Sequence, residues 1–564
     1  MSNYPIDNIR GDFPILQRTV HENKPLVYLD NAASTQQAQP VIDAVSRYHN
    51  QTHSNIHRGA HALAAEATDA YEAARRTVAR FIGAASPNEI IFTRGTTDGI
   101  NLVANSFGRA RVEEGDEVLI TEMEHHSNIV PWQMLCEQVG AKLRVVPVND
   151  RGEFVWDEYE RLLGPRTKML AITHISNTLG TINPVRDIIE AAHRHDVTVL
   201  IDGAQAIAHM KVDVAVLDCD FYVFSGHKIF GPTGIGVLYG KESLLKGMPP
   251  YQGGGSMIRT VKFEKTTFED PPFKFEAGTP NVSGAVGLAA TIDYIESVGI
   301  ERIAEHEHDL TTYGIEQLKQ IDGLRMIGTA EQHAGILSFV VDGIHADDIG
   351  RLIDREGVAV RVGHHCTQPL MERFNVPATV RASVALYSTR DEIDTLVHAV
   401  RKAVNVMSRT CPVERTEVRP SGEDIERTQD RIVQEFNAIP DWEERYQKII
   451  ELGKRHPSIA ESLKDEKWIV RGCQSTVWLH PDLKEGKIAF AAESNAMIVN
   501  GLIALLMRVY SNRTPDEILN TAPRFINEIG LSQHLSQARA NGLAAMLEQI
   551  KNYAVVFKSV AASS

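Results

Sequence analysis

Apolar and polar positions divide the chain into three stretches of different rhythm. From residue 89 to residue 240, short apolar runs alternate with segments of helical spacing. The runs at 89–93, 117–121, 142–147, 168–173 and 197–201, with those around Phe221 and Val237, are apolar almost throughout and predict strands buried on both faces. Segments from Asp98, at 129–138 and at 185–195 predict the helices between them. Strands interleaved with helices imply a mostly parallel sheet covered on both sides, with ligands lying beyond the carboxyl ends of its strands. Upstream, LVYLDNAASTQQAQP (26–40) reads as a short strand entering a turn of small residues, SNIHRG (54–59) as a loop, and 61–82 as an alanine-rich helix closed by Gly83.

The rhythm changes after a long helical region that follows 279–299. From Gly323 the strands predicted at 335–341, 358–362 and 379–383 and the helices at 346–356 and 391–407 describe a smaller α/β lobe closing over the first. The polar, proline-bearing stretch RTCPVERTEVRPSGED carries no core pattern and reads as a linker over 408–424. Beyond it, helices at 425–436 and 442–453, strands at 473–480 and 487–492, and helices at 496–510 and 539–553 predict a separate α+β unit. At roughly 140 residues it is large enough for its own core. The expected division is thus 1–407, with a large domain near 25–300 and a small lobe built from the N-terminal arm and 301–407, followed by the linker and 425–564.

Composition narrows the function classes. The 564 residues are 43% hydrophobic and 23% charged, with a formal charge of −15, which argues against nucleic acid as a partner. The first residues lack the basic and apolar regions of a signal peptide. The apolar run 497–509 contains an asparagine and is too short to span a bilayer, so no membrane partner is expected. The five cysteines (Cys136, Cys219, Cys366, Cys411, Cys473) form no CxxC pair, so neither a metal site nor a disulfide scaffold is indicated, and a reducing cytoplasm is the expected compartment.

The stretch FYVFSGHKIFGPTGIGVLYG places Lys228 in a polar turn between two apolar strands. An ammonium there either reaches water or has a lowered pKa, and a lysine of lowered pKa can form a Schiff base with an aldehyde. Three other signals sit at strand ends. RGTT, with Thr97, offers hydroxyls and a helix N-terminus to a phosphate. Asp202, at the end of VTVLI, can face a cationic ring nitrogen, and His125 can stack on a planar ring. Each has an ordinary alternative: loop lysine, threonine or aspartate cap, core histidine. Together with Ser225 and His227 for phosphate oxygens, they meet what pyridoxal 5'-phosphate requires.

SGHKIFGPTGIGVLY, FTRGTTDGINLVANS, EMEHHSNIVPWQ, HISNTLGTINPV and IDGAQA resemble the aminotransferase-like pyridoxal-phosphate enzymes in their cysteine desulfurase family, and RVGHHCTQPLM resembles the short-loop, SufS-type branch. The resemblance runs from near residue 10 to about 407. It implies that Lys228 holds the cofactor aldehyde and moves protons, that Asp202 faces the pyridine nitrogen and Gln205 the ring hydroxyl, and that His125 stacks on the ring. It also implies that Thr97, Ser225 and His227 hold the phosphate, joined by Thr279 of the partner subunit in a homodimer with composite sites. Asn177 and Arg381 would clamp the substrate α-carboxylate, with Arg361 in the same substrate-binding set.

Cys366, in RVGHHCT, has two histidines and Arg361 nearby to favour a thiolate. By the resemblance it takes sulfur from L-cysteine as a persulfide, leaving L-alanine. One departure stands in GGGSMI, where Ser256 occupies a position at which the family usually carries an acidic residue. In the C-terminal unit, GCQSTVWL, AMIVNGLIALL and IGLSQHLSQARANGLAAM resemble SufE-type sulfur acceptors over 425–560. That implies Cys473 as the receiving thiol, Arg539 as an anion-steadying group, and iron–sulfur scaffold proteins of the Suf type downstream. The family's usual aspartate is replaced by Asn495, with Glu493 as a candidate substitute. A selenocysteine lyase on the same fold and a non-enzymatic scaffold are the competing readings.

Overall fold

The computed structural model describes residues 4–21, 23–408, 424–472, 475–535 and 537–563. Contacts divide the chain into one unit of residues 1–342 with 350–400, and a second of residues 343–349 with 401–564.

The first unit is organised by a seven-stranded sheet: β1 (Ile90–Thr93), β2 (Glu117–Thr121), β3 (Lys142–Val146), β4 (Thr167–Thr173), β5 (Thr198–Asp202), β6 (Phe221–Ser225) and β7 (Gly236–Gly240), in spatial order β1-β7-β6-β5-β4-β2-β3. All pairings are parallel except those of β7, which runs against β1 and β6. The apolar runs are unbroken because both faces are covered. In β6, Tyr222 and Phe224 join one hydrophobic cluster while Phe221 and Val223 join the other. The first cluster is closed by α1 (Ala62–Phe81), α4 (Val185–His193) and α5 (Val282–Val298), and the second by α2 (Thr96–Val103) and α3 (Val130–Val139). Several elements escaped the pattern, two of them instructive. A surface hairpin of β8 (Ile258–Val261) and β9 (Thr266–Phe268) is too polar to announce itself, and the helix Trp156–Leu162 is short.

After α6 (Ile300–Leu318) a smaller antiparallel sheet follows: β10 (Leu324–Met326), β11 (Ile336–Val341), β12 (Arg361–Gly363) and β13 (Thr379–Ser383), ordered β10-β11-β13-β12, with α7 (Arg390–Ser408) after it. The single strand expected at 358–362 is divided in two because its halves have different partners. Val358–Ala359 pairs in parallel with Val27–Tyr28, whereas β12 pairs with β13.

That pairing begins a strap, residues 26–35, that ties the two lobes together. Toward the small sheet, Ser383 N donates to Leu29 O at 2.7 Å, Asn31 Nδ2 to Ser383 O at 2.7 Å, and Ala32 N to Ser383 Oγ at 2.8 Å. Toward the large sheet, Thr35 N donates to His227 O at 2.9 Å, Phe230 N to Thr35 Oγ1 at 2.7 Å, and Gln205 Nε2 to Ala32 O at 2.8 Å.

In the second unit, α8 (Ile425–Asn437) and α9 (Trp442–Arg455) precede a hairpin of β14 (Val477–Lys484) and β15 (Lys487–Ser494), followed by α10 (Met497–Tyr510) and the long α11 (Gln537–Ser563). The apolar α10 packs closely on α9 because both carry glycine at the crossing: a Cβ on Gly501 would stand 2.1 Å from Ile449 O, and one on Gly453 2.2 Å from Met497 O. Residues 409–423, most of the expected linker, and Cys473 at the start of the strand expected over 473–480 lie outside the described residues. No helix among the described residues is long and apolar enough to cross a membrane.

A buried ion pair fastens α1 to the sheet. Arg75 and Glu276 side chains are 1% and 6% exposed, bonded through both carboxylate oxygens at 2.7 and 2.9 Å, and Glu276 also accepts from Phe92 N at 2.8 Å and Tyr71 Oη at 2.9 Å. Removing one partner of such a pair leaves a desolvated charge, so Glu276→Ala should cost about 3–5 kcal/mol. The check is the urea midpoint of the first unit, which should fall well below that of the parent chain.

Candidate active site

The strand ends of the large sheet, the strap and the small lobe enclose a cavity of about 290 Å³. Lys228, Asp202, Gln205, Ser225, His227 and Thr97 line it, and so do His125, Asn177, Arg361, Cys366 and Arg381. The cavity wall also includes residues that sequence reading passed over, chiefly Thr96, Ser127 and the small residues Ala32 to Ser34. Thr279 is not on this wall; it is exposed on the loop before α5.

Lys228 follows β6 in a short turn, half-buried with its open side toward the cavity. Desolvation pushes its ammonium down to about 8, while the Asp202 carboxylate opposes that fall. Asp202, the last residue of β5, is buried; burial pushes its carboxyl up, and the Ala204 N–H at 2.9 Å together with Lys228 pulls it back. The two groups therefore hold each other against a dry environment.

His125 Nδ1 accepts from Ser127 N at 3.1 Å, which assigns the proton of the neutral ring to Nε2. Burial, then the neighbouring Lys228 charge, lowers the imidazole to about 3, so the ring is a neutral flat surface at pH 7. The turn that presents it is braced by Glu124, which sequence reading also missed. That carboxyl accepts from Thr121 Oγ1 at 2.5 Å, Asn128 Nδ2 at 2.7 Å and Thr173 N at 3.0 Å, and burial raises it to about 8.

At the start of α2, Thr96 N and Thr96 Oγ1 both lie 2.8 Å from Ser225 Oγ, so Ser225 holds the helix N-terminus in place as well as facing the cavity. Gly95 makes this approach possible: its φ is +153°, and a Cβ there would stand 3.1 Å from Ser225 Oγ. His227 beside it is lowered to about 4 by burial.

The opposite wall is cationic. Arg381 is 2% exposed; Nη1 donates to Asn177 O at 2.8 Å and Nη2 reaches Asp30 Oδ1 at 3.4 Å, while its buried Nε has no hydrogen-bond partner. Burial lowers this guanidinium to about 10. Arg361 forks onto the same Asp30, with Nε at 3.1 Å and Nη2 at 2.9 Å.

Cys366 is exposed and borders the cavity in an unusual backbone: His365 and Cys366 have φ of +51° and +58°. Left-handed non-glycine residues cost roughly 1–3 kcal/mol each and persist only where neighbours impose them. Here His126 N donates to Cys366 O at 2.7 Å, Asn177 Nδ2 to His365 O at 2.9 Å, and Cys366 N to His364 Nδ1 at 3.1 Å. The expectation that two histidines lend positive charge to the thiol is corrected in one respect. His365 is buried against Thr379 and held far below the ordinary imidazole range, so it is neutral; the fixed cations of this wall are Arg361 and Arg381.

Pyridoxal phosphate fits these residues. The cavity offers an amine of lowered pKa, a buried acid, a neutral ring, hydroxyls at the N-terminus of α2, and an unpartnered guanidinium nitrogen for a carboxylate. In the second unit, Arg539 is buried, with Nη1 2.7 Å from Tyr446 Oη and Nη2 2.8 Å from Asp348 Oδ1. Asn495 Oδ1 accepts from Thr476 N at 3.1 Å, and Glu493 accepts from Ile459 N at 2.9 Å.

Residues 27–396 match the family model described as aminotransferase class-V, and residues 430–554 match SufE, described as an Fe-S metabolism associated domain. A cysteine desulfurase of Synechococcus elongatus is 55% identical over 399 residues, 71% of this chain and 64% of that protein, so the match spans less than two thirds of that relative. A cysteine desulfurase of Salmonella agona is 52% identical over 395 residues, 70% of this chain and 97% of that protein. The crystal structure of the Escherichia coli cysteine desulfurase CsdA superposes with a TM-score of 0.66 at 39% identity, covering 71% of this chain and 98% of that one.

The Lys228 amine is protonated and inert below its pKa and nucleophilic above it. With that pKa near 8, in cofactor-free protein its modification by an amine-directed reagent should rise with pH through a midpoint about 2 units below that of an ordinary lysine. Asp202→Asn removes the opposing charge and should move the midpoint lower still. Residue-resolved mass spectrometry across pH 6 to about 11 measures both.

Proposed function

The chain belongs to the aminotransferase class-V family, on its cysteine desulfurase branch, and from that premise we propose that it removes sulfur from L-cysteine, yielding L-alanine, and passes the sulfur to its own C-terminal unit. One observation carries the reading: the low-pKa amine of Lys228, the Arg381 guanidinium with its unpartnered Nε and the thiol of Cys366 line one small cavity.

Bound pyridoxal 5'-phosphate supplies an electron sink that makes the α-hydrogen of an amino acid acidic and loosens the bond from Cβ to sulfur. Lys228 would hold its aldehyde, Asp202 its ring nitrogen, Gln205 its hydroxyl and His125 its face, with Thr97, Ser225 and His227 at the phosphate. Arg381, supported by Asn177, takes the α-carboxylate through the nitrogen that lacks a partner, and fixes the substrate's orientation. Lys228 Nζ, with its pKa near 8, accepts the α-proton and returns a proton to carbon at neutral pH. Cys366 Sγ attacks the substrate sulfur. A sulfur–sulfur bond forms as the Cβ–S bond breaks, the bonding pair stays with Cβ, and a proton there completes the methyl group of alanine.

Cys366 then carries a persulfide on a strained loop that allows little swing. Attack of the Cys473 thiolate on the outer sulfur regenerates the Cys366 thiolate and moves the sulfur on, toward iron–sulfur scaffold proteins of the Suf type. The SufE match over residues 430–554 supports this step. Carrying both thiols on one chain raises their effective concentration above that of separate proteins. The exposed position of Thr279 supports a homodimer in which it serves the phosphate site of the partner, and the cytoplasm is the compartment that keeps these thiols reduced.

Intact-mass analysis after L-cysteine tests the order of transfer. The wild type should gain one sulfur on Cys366 and one on Cys473, Cys473→Ala should still load Cys366, and Cys366→Ala should leave Cys473 unmodified. Sulfur on Cys473 in the absence of Cys366 would break the scheme.

A further inference from the structure

The loop that carries Cys366 is fastened by two imidazoles, and both act as acceptors. Cys366 N donates to His364 Nδ1 at 3.1 Å, and Gln368 N donates to His126 Nε2 at 3.1 Å. Gln368 opens the short helix Gln368–Arg373, so its N–H has no acceptor within that helix. His126 also grips the loop through its main chain, where its N–H donates to Cys366 O at 2.7 Å. The two rings lie 5.5 Å apart, tilted by 35°. A ring nitrogen that accepts a hydrogen bond carries no proton, which assigns both imidazoles as neutral, with the proton of His126 on Nδ1 and that of His364 on Nε2. A protonated imidazole donates from both nitrogens, so a proton on either ring sets two donors against each other. The backbone under these contacts is left-handed, with φ of +51° at His365 and +58° at Cys366, and it persists only while neighbours hold it.

We propose that His126 and His364 form a proton-operated clasp: their neutral rings hold Cys366 at the edge of the cavity, and a proton on either ring frees the loop. The inference rests on the proposed role of Cys366 and adds what keeps its thiol in place. Neither ring lines the cavity, so both are positioning residues that act through the loop. The surroundings set the sign. Burial, then the charge of His364, lowers the His126 imidazole from its ordinary value. His125, with its ring centre 6.3 Å from that of His126, is neutral at pH 7, and so is the buried His365. Arg361 and Arg381 are cations on the cavity wall that Cys366 borders, and Lys228 and Asp202 line the same cavity. A ring lowered in the fastened state takes up a proton more readily once released. The clasp is therefore closed above the ordinary imidazole range, about pH 6.5, and opens as pH falls through the lowered value.

The test uses holoenzyme and reads hydrogen exchange by mass spectrometry in the peptide spanning residues 364–370, corrected for the intrinsic pH dependence of exchange. Wild-type protection should fall between about pH 8 and about pH 5, by up to about tenfold per unit for each ring that takes a proton on opening. In the double variant His126→Gln/His364→Asn, side-chain carbonyls that take no proton replace both accepting nitrogens, so the fall should vanish. If that variant fails to hold the cofactor, each single variant makes the same test, because one titrating ring is left and the fall should be shallower than in the wild type. His126→Ala separates placement from general damage. Sulfur loading of Cys366 from L-cysteine should slow by about tenfold, while affinity for L-alanine, read from the visible absorption of the cofactor, should stay within about twofold, and His126→Gln should restore the loading. Wild-type protection that does not change with pH, a fall undiminished by the replacements, or equal loss of loading and of L-alanine affinity overturns the inference. The exchange readings need no turnover, so wild-type holoenzyme that forms no alanine from L-cysteine overturns instead the functional reading beneath them.

Discussion

An amine and a carboxylate held in one dry cavity, at the ends of adjacent parallel strands, set the condition that the rest of the first unit satisfies. Lys228 and Asp202 each pay a desolvation cost, each limits the cost of the other, and both displacements from ordinary lysine and aspartate behaviour would vanish if water entered freely. Excluding water takes material on every side: the two hydrophobic layers beneath the strand ends, the small lobe opposite, and the strap across the gap. The fold places the pair where a parallel sheet opens at its carboxyl ends, and the lobes supply the enclosure.

Much of this was legible in the sequence for a simple reason. Strands buried on both faces leave unbroken apolar runs, and chemistry at strand ends leaves a polar residue at the end of each run. Asp202 after VTVLI and Lys228 after FYVFSGH are read directly from that punctuation. The features that escaped have no such signature. Asp30 lies in LDNAAST, which looks like a turn of small residues, and its importance appears only when Arg361 and Arg381, more than 300 positions later, arrive beside it. Glu124 reads as one more acid in a polar turn, yet it is a buried brace for His125. Thr96 was hidden beside Thr97, because a sequence cannot say that both of two adjacent threonines border one cavity.

The loop that carries Cys366 shows how local strain and distant contacts complement each other. No local preference asks His365 and Cys366 to adopt left-handed backbone; hydrogen bonds from His126 and Asn177, on two different strand ends, hold them there. The thiol is thereby placed by the same loops that present the His125 imidazole and support Arg381. Three cavity side chains share one set of main-chain fastenings, so a change at one of these loops should be felt at the others.

The strap of residues 26–35 has a consequence for the life history of the molecule. Its partners in the small lobe lie near residues 357–387, and the bond from Ala32 N to Ser383 Oγ spans 351 positions. On a ribosome these early residues emerge long before the strand they must join, and the cavity cannot close until nearly 390 residues have been made. Contacts of such long separation form slowly, after the sheet they cover. Until then the nascent chain presents an unfinished pocket with Lys228 uncovered, so that chain length itself acts as the timer for closing the cavity.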